Sequence, residues 1–472
     1  MTSTVDTSSA PPPGGPSGLN PFERLLPKRS AGLKLILVCA LALLMAIPAL
    51  FVYGVVAERT SGQAQAVREV SEKVGGAQAV LGPFIAVPFA RTPNPDKPNT
   101  VVYGHAIAFA ETGSVQSNVT VEERKRGLYL VPVFTADMAI EARFQPEALR
   151  AAFLEDATPI WSDVRIYSGV QDTRGLRGGL SLSVDGRALN VEPAPSGGYQ
   201  DHTQYRPVPS SGLTLAGAEL VDLETRNAPF IVNMAFQLSG AERFSIAPFA
   251  KNTQVAMTSN WDSPSFTGGV LPLSHTAGDE TPGFEANWDL PYLARGIPGA
   301  GSQIDLHQFS QWNTRDMAVR FVRPANPYQS VERALKYAAM FIGFVFLAYF
   351  LFEITQKARA HPAQYVLVGL AQSIFYLLLL AFAERMGFDL AFAIASGMTV
   401  GLISLYSVSV FRSLATGLKA FAALSGIYGL IYVLMRAEDH ALLAGAIASF
   451  AAIAITMFMT RNVQWYGERS AT

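Results

Sequence analysis

Six long apolar runs constrain this chain more than any other feature of its sequence. The first covers about residues 33–56, and five more follow closely between 335 and 460. A helix of about 20 apolar residues crosses the hydrocarbon core of a bilayer. The sequence therefore predicts an integral membrane protein with six transmembrane helices, at 32–56, 335–354, 364–383, 389–411, 414–435 and 440–460.

The segment between the first and second spans, 57–332, has a quite different character. It opens with a polar, helix-favouring run that Gly75-Gly76 should end. Short strand-like runs bounded by Gly, Pro and Asn follow, which is typical of an antiparallel β-sandwich. We therefore predict a large β-rich, β-sandwich-like domain inserted between helices 1 and 2. The strand candidates are 84–90, 101–111, 127–144, 180–186, 230–238, 242–249 and 253–261.

The distribution of positive charge predicts the orientation of the chain. Arg24, Lys28, Arg29 and Lys34 precede or begin the first span, and basic residues near a span mark its cytoplasmic end. The links at 357–361 and 412–419 are basic, whereas the alternate links also carry acids. Both termini should thus be cytoplasmic and 57–332 periplasmic.

These predictions divide the chain into five parts. They are a disordered cytoplasmic tail (1–31), an anchor helix (32–56), the periplasmic domain (57–332), a five-helix bundle (333–460) and a second cytoplasmic tail (461–472). The first apolar run exceeds the 7–15 residues of a signal peptide. We expect it to be retained, although Val55-Val56-Ala57 also fits a cleavage site.

Composition and motifs exclude several classes of function. Net charge is -1 and no basic stretch alternates with aromatic residues, which argues against nucleic acid as a partner. The single cysteine, Cys39, allows no intrachain disulfide and no cysteine-based metal site. No nucleophile elbow, zinc-protease motif, P-loop or dinucleotide fingerprint is present. We expect a protein that is not an enzyme and needs no cofactor.

Charged and small residues of the spans favour anchoring and packing. Glu353 and Glu384 lie at span ends, where a charge can reach the membrane interface. Gly397 and Gly401 form a G-x-x-x-G. Gly369 with Ser373 and Gly445 with Ser449 repeat this small-residue spacing, which lets helices approach closely. We assign these faces to packing inside one bundle, while the same faces could also join two copies of the chain.

Several segments resemble the CreD family of bacterial inner-membrane proteins. They include GGAQAVLGPFIAVPF (75–89), KRGLYLVPVF (125–134), WDSPSFTGGVLP (261–272) and HPAQYVLVGLAQSIFYLLLLAFAE (361–384). The resemblance covers nearly all of the chain after residue 30 and implies a role in cell envelope integrity and tolerance of β-lactams or colicins. The residues that look like family signatures are Glu353, His361, Pro362, Gln364, Tyr365 and Glu384. The resemblance assigns them no role.

Three functions follow as hypotheses. The leading one is a non-enzymatic envelope integrity protein, anchored in the lipid bilayer, whose periplasmic domain contacts an envelope component or a periplasmic protein. The alternatives are a transporter or channel formed by the five-helix bundle, and a periplasmic enzyme that acts on the cell wall. The absence of charges at the centres of the spans weakens the transporter hypothesis.

Overall fold

The structure is a computed structural model. It describes residues 31–92, 101–153, 155–194, 212–277, 282–302, 304, 306–310, 315–322, 327–356, 360–436, 441–463 and 465. Most of the two predicted tails, 1–31 and 461–472, lies outside the described residues. The same is true of the links at 357–359 and 437–440. The chain divides into two compact units, one of residues 1–60 with 325–472 and one of residues 61–324.

Within the described residues, six helical segments are long and apolar enough to cross a membrane. This confirms the predicted fold class of six spans with a β-rich domain between the first two. Helices of both units, in chain order, are α1 (Ala31–Leu44), α2 (Ala46–Val74), α3 (Pro146–Arg150), α4 (Tyr292–Arg295), α5 (Pro327–Lys336), α6 (Ala338–Gln356), α7 (Pro362–Met386), α8 (Phe388–Phe411), α9 (Leu414–Arg436) and α10 (Ala441–Thr460).

Together α1 and α2 form the first apolar segment, Ala31–Val74. Their boundary at Met45 has a local cause. Pro48 has no amide hydrogen to donate to the carbonyl of Leu44, and proline is tolerated in the first turn of a helix. Helix α2 then ends at Val74, directly before Gly75 and Gly76, which both have positive φ. The predicted end of the polar helix at these glycines is confirmed.

Small residues of the spans differ in what surrounds them. A Cβ added to Gly369 would lie 2.4 Å from Met45 Cγ and 3.0 Å from Phe346 Cζ, so helices pack closely on this glycine. A Cβ added to Gly397, Gly401 or Gly445 would meet no atom within 4 Å. The expectation of packing inside the bundle is therefore confirmed at Gly369 and wrong at Gly397 and Gly401, whereas Gly445 is buried.

The second unit contains 17 strands among its described residues. The strands are β1 (Gln78–Arg91), β2 (Val102–Arg126), β3 (Tyr129–Phe144), β4 (Ala157–Pro159), β5 (Arg165–Val170), β6 (Leu176–Val184), β7 (Arg187–Leu189), β8 (Glu192–Pro193), β9 (Thr214–Glu219), β10 (Phe230–Ala241), β11 (Arg243–Ala247), β12 (Ala250–Ser259), β13 (Pro264–Phe266), β14 (Ser274–Ala277), β15 (Phe284–Leu290), β16 (Ala300–Gly301) and β17 (Met317–Phe321).

Two groups of strands share the long strand β2. Its first half pairs with β1, and its second half pairs with β3 and with β12. One hydrophobic core contains residues from both groups. In the group formed by the second half of β2 with β3 and β12, buried and exposed residues alternate along most of β2 and β3. This sheet therefore has one face toward the core and one toward solvent.

Strand pairing reveals an internal repeat. Strands β2 and β3 pair antiparallel, as do β12 and β15. Likewise β1 pairs antiparallel with β5, and β11 with β17. The two sets are joined by parallel pairs, β1 with β11 and β2 with β12. The repeat thus relates β1, β2, β3 and β5 to β11, β12, β15 and β17.

Candidate functional sites

Glu353, near the end of α6, is the best-connected acid of the helix bundle. Its side chain is 5% exposed and forms an ion pair with Lys34 of α1. The Ala360 amide donates to Oε1 at 3.0 Å, and the Tyr365 hydroxyl donates to Oε2 at 3.0 Å. Lys34 also donates to the Ala360 carbonyl at 3.3 Å. Each carboxylate oxygen therefore has a hydrogen-bond donor, and the site joins the first helix to α6 and α7.

This burial corrects the interpretation of Glu353 as a charge that reaches the interface. A buried carboxylate is tolerated only where a cation and hydrogen-bond donors compensate its lost hydration. Lys34 supplies the cation from 319 positions away in the sequence. No local pattern around Glu353 could have indicated this partner. The structure thus brings together two of the family-signature residues, Glu353 and Tyr365.

The signature residues His361 and Gln364 form the N-terminal cap of α7. His361 Nδ1 accepts from the Ala363 amide at 3.2 Å, and Gln364 Oε1 accepts from the His361 amide at 2.9 Å. Pro362 occupies the first turn, where its missing amide hydrogen costs nothing. The His-Pro-x-Gln segment therefore starts α7 directly beside the Glu353 site. A glutamine three residues after the cap is a signal that the sequence already carried.

We expect His361→Ala to destabilise the bundle by about 1 kcal/mol, because the Ala363 amide loses its acceptor. His361→Asn should retain most of this stability, since asparagine is a good N-cap residue. The free energy of unfolding by dodecyl sulfate titration in mixed micelles measures both. Equal losses in the two variants would contradict a capping role for His361.

Glu384, the last of the six signature residues, lies at the other end of α7. It accepts a hydrogen bond from the Tyr328 hydroxyl of α5 at 3.1 Å, and Arg59 Nε lies 3.8 Å from its Oε1. Its side chain is 16% exposed, so it is less enclosed than Glu353. The six signature residues thus lie around the two ends of α7, with Glu353 contacting its start from α6, and they do not form one site.

The solvent face of the second strand group carries the main surface candidate in the β-rich domain. Two neighbouring rows of residues cross strands β12, β2, β3 and β10. One row contains Ala256, Gln116, Ala139 and Ala235, and the other contains Thr258, Asn118, Asp137 and Gln237. Short alanine side chains beside longer polar ones leave a depression of about 670 Å³ along these rows.

Hydrogen bonds order the polar row of this depression. Gln237 Nε2 donates to Asp137 Oδ1 at 2.8 Å, and Thr258 Oγ1 donates to Asn118 Oδ1 at 3.3 Å. The alanines beside them present methyl groups to solvent. A surface of this kind offers hydrogen bonds and a shallow apolar contact to the same ligand. None of these residues was singled out from the sequence as a binding residue.

Arg295 is the most deeply buried cation of the β-rich domain among the described residues. Its guanidinium lies 3.9 Å from the centroid of the Phe109 ring, and Nε donates to the Pro248 carbonyl at 3.3 Å. Burial lowers the pKa of Arg295 to about 10, so it stays charged near neutral pH. Stacking on Phe109 and bonding to carbonyls give it a structural role.

No group of three or more His, Cys, Asp or Glu side chains that could hold a metal ion occurs in the part of the chain that the structure describes. The acids of the bundle described above each pair with a cation or a hydroxyl instead. The arrangement at Glu353 can hold a charge inside the bundle. The depression of the β-rich domain can bind a polar ligand.

Comparison with known proteins agrees with this architecture. A family model described as inner membrane protein CreD matches residues 30–466. The inner membrane protein CreD of Escherichia coli strain K12 is 31% identical over 429 residues, which cover 90% of this chain and 91% of that protein. Together with six apolar helices, these matches indicate a multi-pass inner membrane protein. The chain belongs to the CreD family.

Proposed function

We propose that this chain is a non-enzymatic inner membrane protein that supports the integrity of the cell envelope. In this proposal, the β-rich domain is periplasmic and contacts an envelope component, while the six helices anchor it in the bilayer. Tolerance of β-lactams or colicins, implied by the family resemblance, is the expected phenotype. The observation that carries the proposal is the depression on β2, β3, β10 and β12.

The proposed orientation rests on charge. Lys34, at the start of the first apolar segment, contacts Glu353 and the Ala360 carbonyl. Lys34 therefore lies at the same end of the bundle as Ala360 and the start of α7. Positive charge concentrates at cytoplasmic ends. This arrangement supports cytoplasmic termini and a periplasmic β-rich domain.

The depression suits a partner with several hydrogen-bonding groups, such as a glycan strand or an extended peptide. Asp137 and Asn118 accept hydrogen bonds from neighbouring side chains and keep further oxygen lone pairs for a ligand. The flanking alanines let a ligand approach the sheet closely. A surface that is only in contact with water would not need the two hydrogen-bonded side-chain pairs that stand beside these alanines.

Complementation of a strain that lacks this gene tests the proposal. Ala139→Trp places a large ring in the depression, and we expect binding to weaken roughly ten- to hundredfold for a steric cost of about 1–3 kcal/mol. Ala188→Trp on β7 is a matched control, because Ala188 is exposed in the same sheet but does not line the depression. Survival in detergent and β-lactam is the readout.

The wild-type gene and Ala188→Trp should restore survival, whereas Ala139→Trp should not at equal protein level. Full rescue by Ala139→Trp would show that the function does not depend on the depression. A deletion strain as resistant as its parent to every envelope insult would contradict the whole proposal.

A transporter or channel is the second candidate, favoured by one observation. Glu353 is a buried, ionisable residue in a helix bundle, and such residues often mark ion or proton pathways. Protein reconstituted in vesicles with a pH-sensitive dye would then carry protons, and Glu353→Gln would abolish the flux. Equal flux in wild-type protein, Glu353→Gln and empty vesicles would remove this candidate.

A further inference from the structure

Helices α8 and α9 line a cavity that has no part in the proposed function. Its volume is about 500 Å³, within the range of small-molecule sites in proteins. From Asp389 to Val400 its lining extends over 11 residue steps of α8, or roughly 16 Å of helix at 1.5 Å per residue. The wall includes Phe392, Gly397, Phe421, Tyr428 and Gly429.

The two glycines keep this cavity open. A Cβ added to Gly397 or Gly429 would meet no atom within 4 Å, so none of the helices that the structure describes fills the space beside them. Phe421 is about half exposed, and Gly397 and Gly429 are exposed as well. The cavity is therefore a groove that opens to the outside of the bundle.

One end of the groove carries opposite charges. Asp389 of α8 forms an ion pair with Arg436 of α9 and accepts from the Tyr432 hydroxyl at 3.0 Å. The Asp389 and Arg436 side chains are 55% and 59% exposed. An ion pair this exposed contributes at most about 1 kcal/mol, so either partner can turn to another ion at little cost.

Tyr428 adds a polar group inside the groove. Its side chain is 3% exposed and lines the cavity. Its ring packs against Phe375 at 4.9 Å between centroids. A tyrosine hydroxyl can donate a hydrogen bond, so Tyr428 offers a donor to an oxygen of an occupant.

We propose that this groove binds one phospholipid with an amine-bearing headgroup. The acyl chain fills the space beside Gly397 and Gly429, an ester oxygen accepts from Tyr428, the phosphate binds Arg436 and the ammonium binds Asp389. Both charges of the zwitterionic headgroup are thus matched. A helix of a second copy would instead cover the exposed Asp389–Arg436 pair with apolar side chains and remove its contact with water.

The test uses the full chain purified in detergent, delipidated and titrated with dioleoyl phosphatidylethanolamine, with phosphatidylglycerol of the same chains, or with inorganic phosphate. Native mass spectrometry counts bound lipid. We expect one phosphatidylethanolamine per chain, bound about tenfold tighter than phosphatidylglycerol, since one additional charge-assisted contact is worth about 1.4 kcal/mol. Inorganic phosphate should not compete, because it lacks the acyl chain.

Two double variants separate the groove from the rest of the helix surface. Gly397→Leu/Gly429→Leu fills the groove and should abolish binding. Gly401→Leu/Gly426→Leu is matched, because these glycines lie on the same helices, also meet no atom within 4 Å of an added Cβ and do not line the groove. This control should bind lipid normally.

Single variants keep the test decisive if a leucine pair prevents folding. Arg436→Gln should lower affinity about tenfold for either lipid, and Asp389→Asn should remove the preference for the ethanolamine headgroup. Unchanged binding in both would overturn the proposal, as would equal binding by the two leucine pairs. A disulfide-linked dimer through Ser425→Cys in a Cys39→Ser background would also overturn it, since a second copy would then occupy the groove.

Discussion

Glu353→Leu is expected to destabilise the helix bundle by about 3–5 kcal/mol. The substitution leaves the Lys34 ammonium without its carboxylate and removes the acceptor of the Ala360 amide and the Tyr365 hydroxyl. Lys34 is only 31% exposed, so water does not fully replace the lost acid. The free energy of unfolding by dodecyl sulfate titration in mixed micelles measures the loss.

A double-mutant cycle separates the ion pair from simple loss of packing. Lys34→Met with Glu353→Leu should recover much of the stability, because apolar replacement of a whole buried pair is often neutral. Arg436→Gln is a useful contrast, since the exposed pair with Asp389 should cost no more than about 1 kcal/mol. Additive losses in the Lys34 and Glu353 variants would show that the two residues do not interact.

Phe249→Ala is expected to destabilise the β-rich domain by about 3–5 kcal/mol. Phe249 is fully buried in the link between β11 and β12. A Cβ added to Gly82 of β1 would lie 2.4 Å from Phe249 Cγ, and one added to Gly113 of β2 would lie 2.5 Å from Phe249 Cε2. The ring thus packs directly on the backbone of both strands, and the surrounding sheet cannot collapse into the space that alanine leaves.

Tryptophan fluorescence of the full chain during thermal unfolding measures this effect, because four of the five tryptophans lie between residues 161 and 312. Phe153→Ala is the control, since Phe153 is only partly buried at the edge of the same core. Phe153→Ala should lower the midpoint temperature of unfolding less than Phe249→Ala does. Equal decreases would contradict the claim that the close contacts of Phe249 with Gly82 and Gly113 make its loss more costly.

The sequence predicted the membrane part closely. The predicted spans 364–383 and 389–411 correspond to α7, Pro362–Met386, and α8, Phe388–Phe411. Bilayer thickness fixes the length of an apolar helix, so continuous hydrophobicity alone is a sufficient signal. The contacts between helices carry no such signal. For this reason Gly369 could not be distinguished from Gly397 in advance.

The β-rich domain was predicted in part. All seven strand candidates lie on strands of the structure, but the other ten described strands were missed, among them β5, β9, β15 and β17. Short, partly polar strands such as β9 acquire their structure from their neighbours and less from local propensity. The two parallel pairs that join β1 to β11 and β2 to β12 connect distant segments, so no local pattern could have predicted them.

For the candidate sites too, local sequence patterns could not predict contacts between distant segments. Six signature residues were named from the sequence without roles. The cap formed by His361 and Gln364 is local, and its spacing could have been recognised. The roles of Glu353 and Glu384 depend on Lys34 and Tyr328, which only the fold brings near them. Orientation, partners and the absence of catalysis stay predictions.

Site-specific photocrosslinking in living cells tests the central claim that the β-rich domain contacts an envelope component through its depression. A benzophenone amino acid replaces Ala139 or Ala235 in the depression and, as a control, the exposed Ala188 of the same sheet. We predict that the first two positions crosslink one discrete envelope component, identified by mass spectrometry, and that position 188 does not. Identical adducts at all three positions, or none at 139 and 235 in cells under envelope stress, would contradict the account.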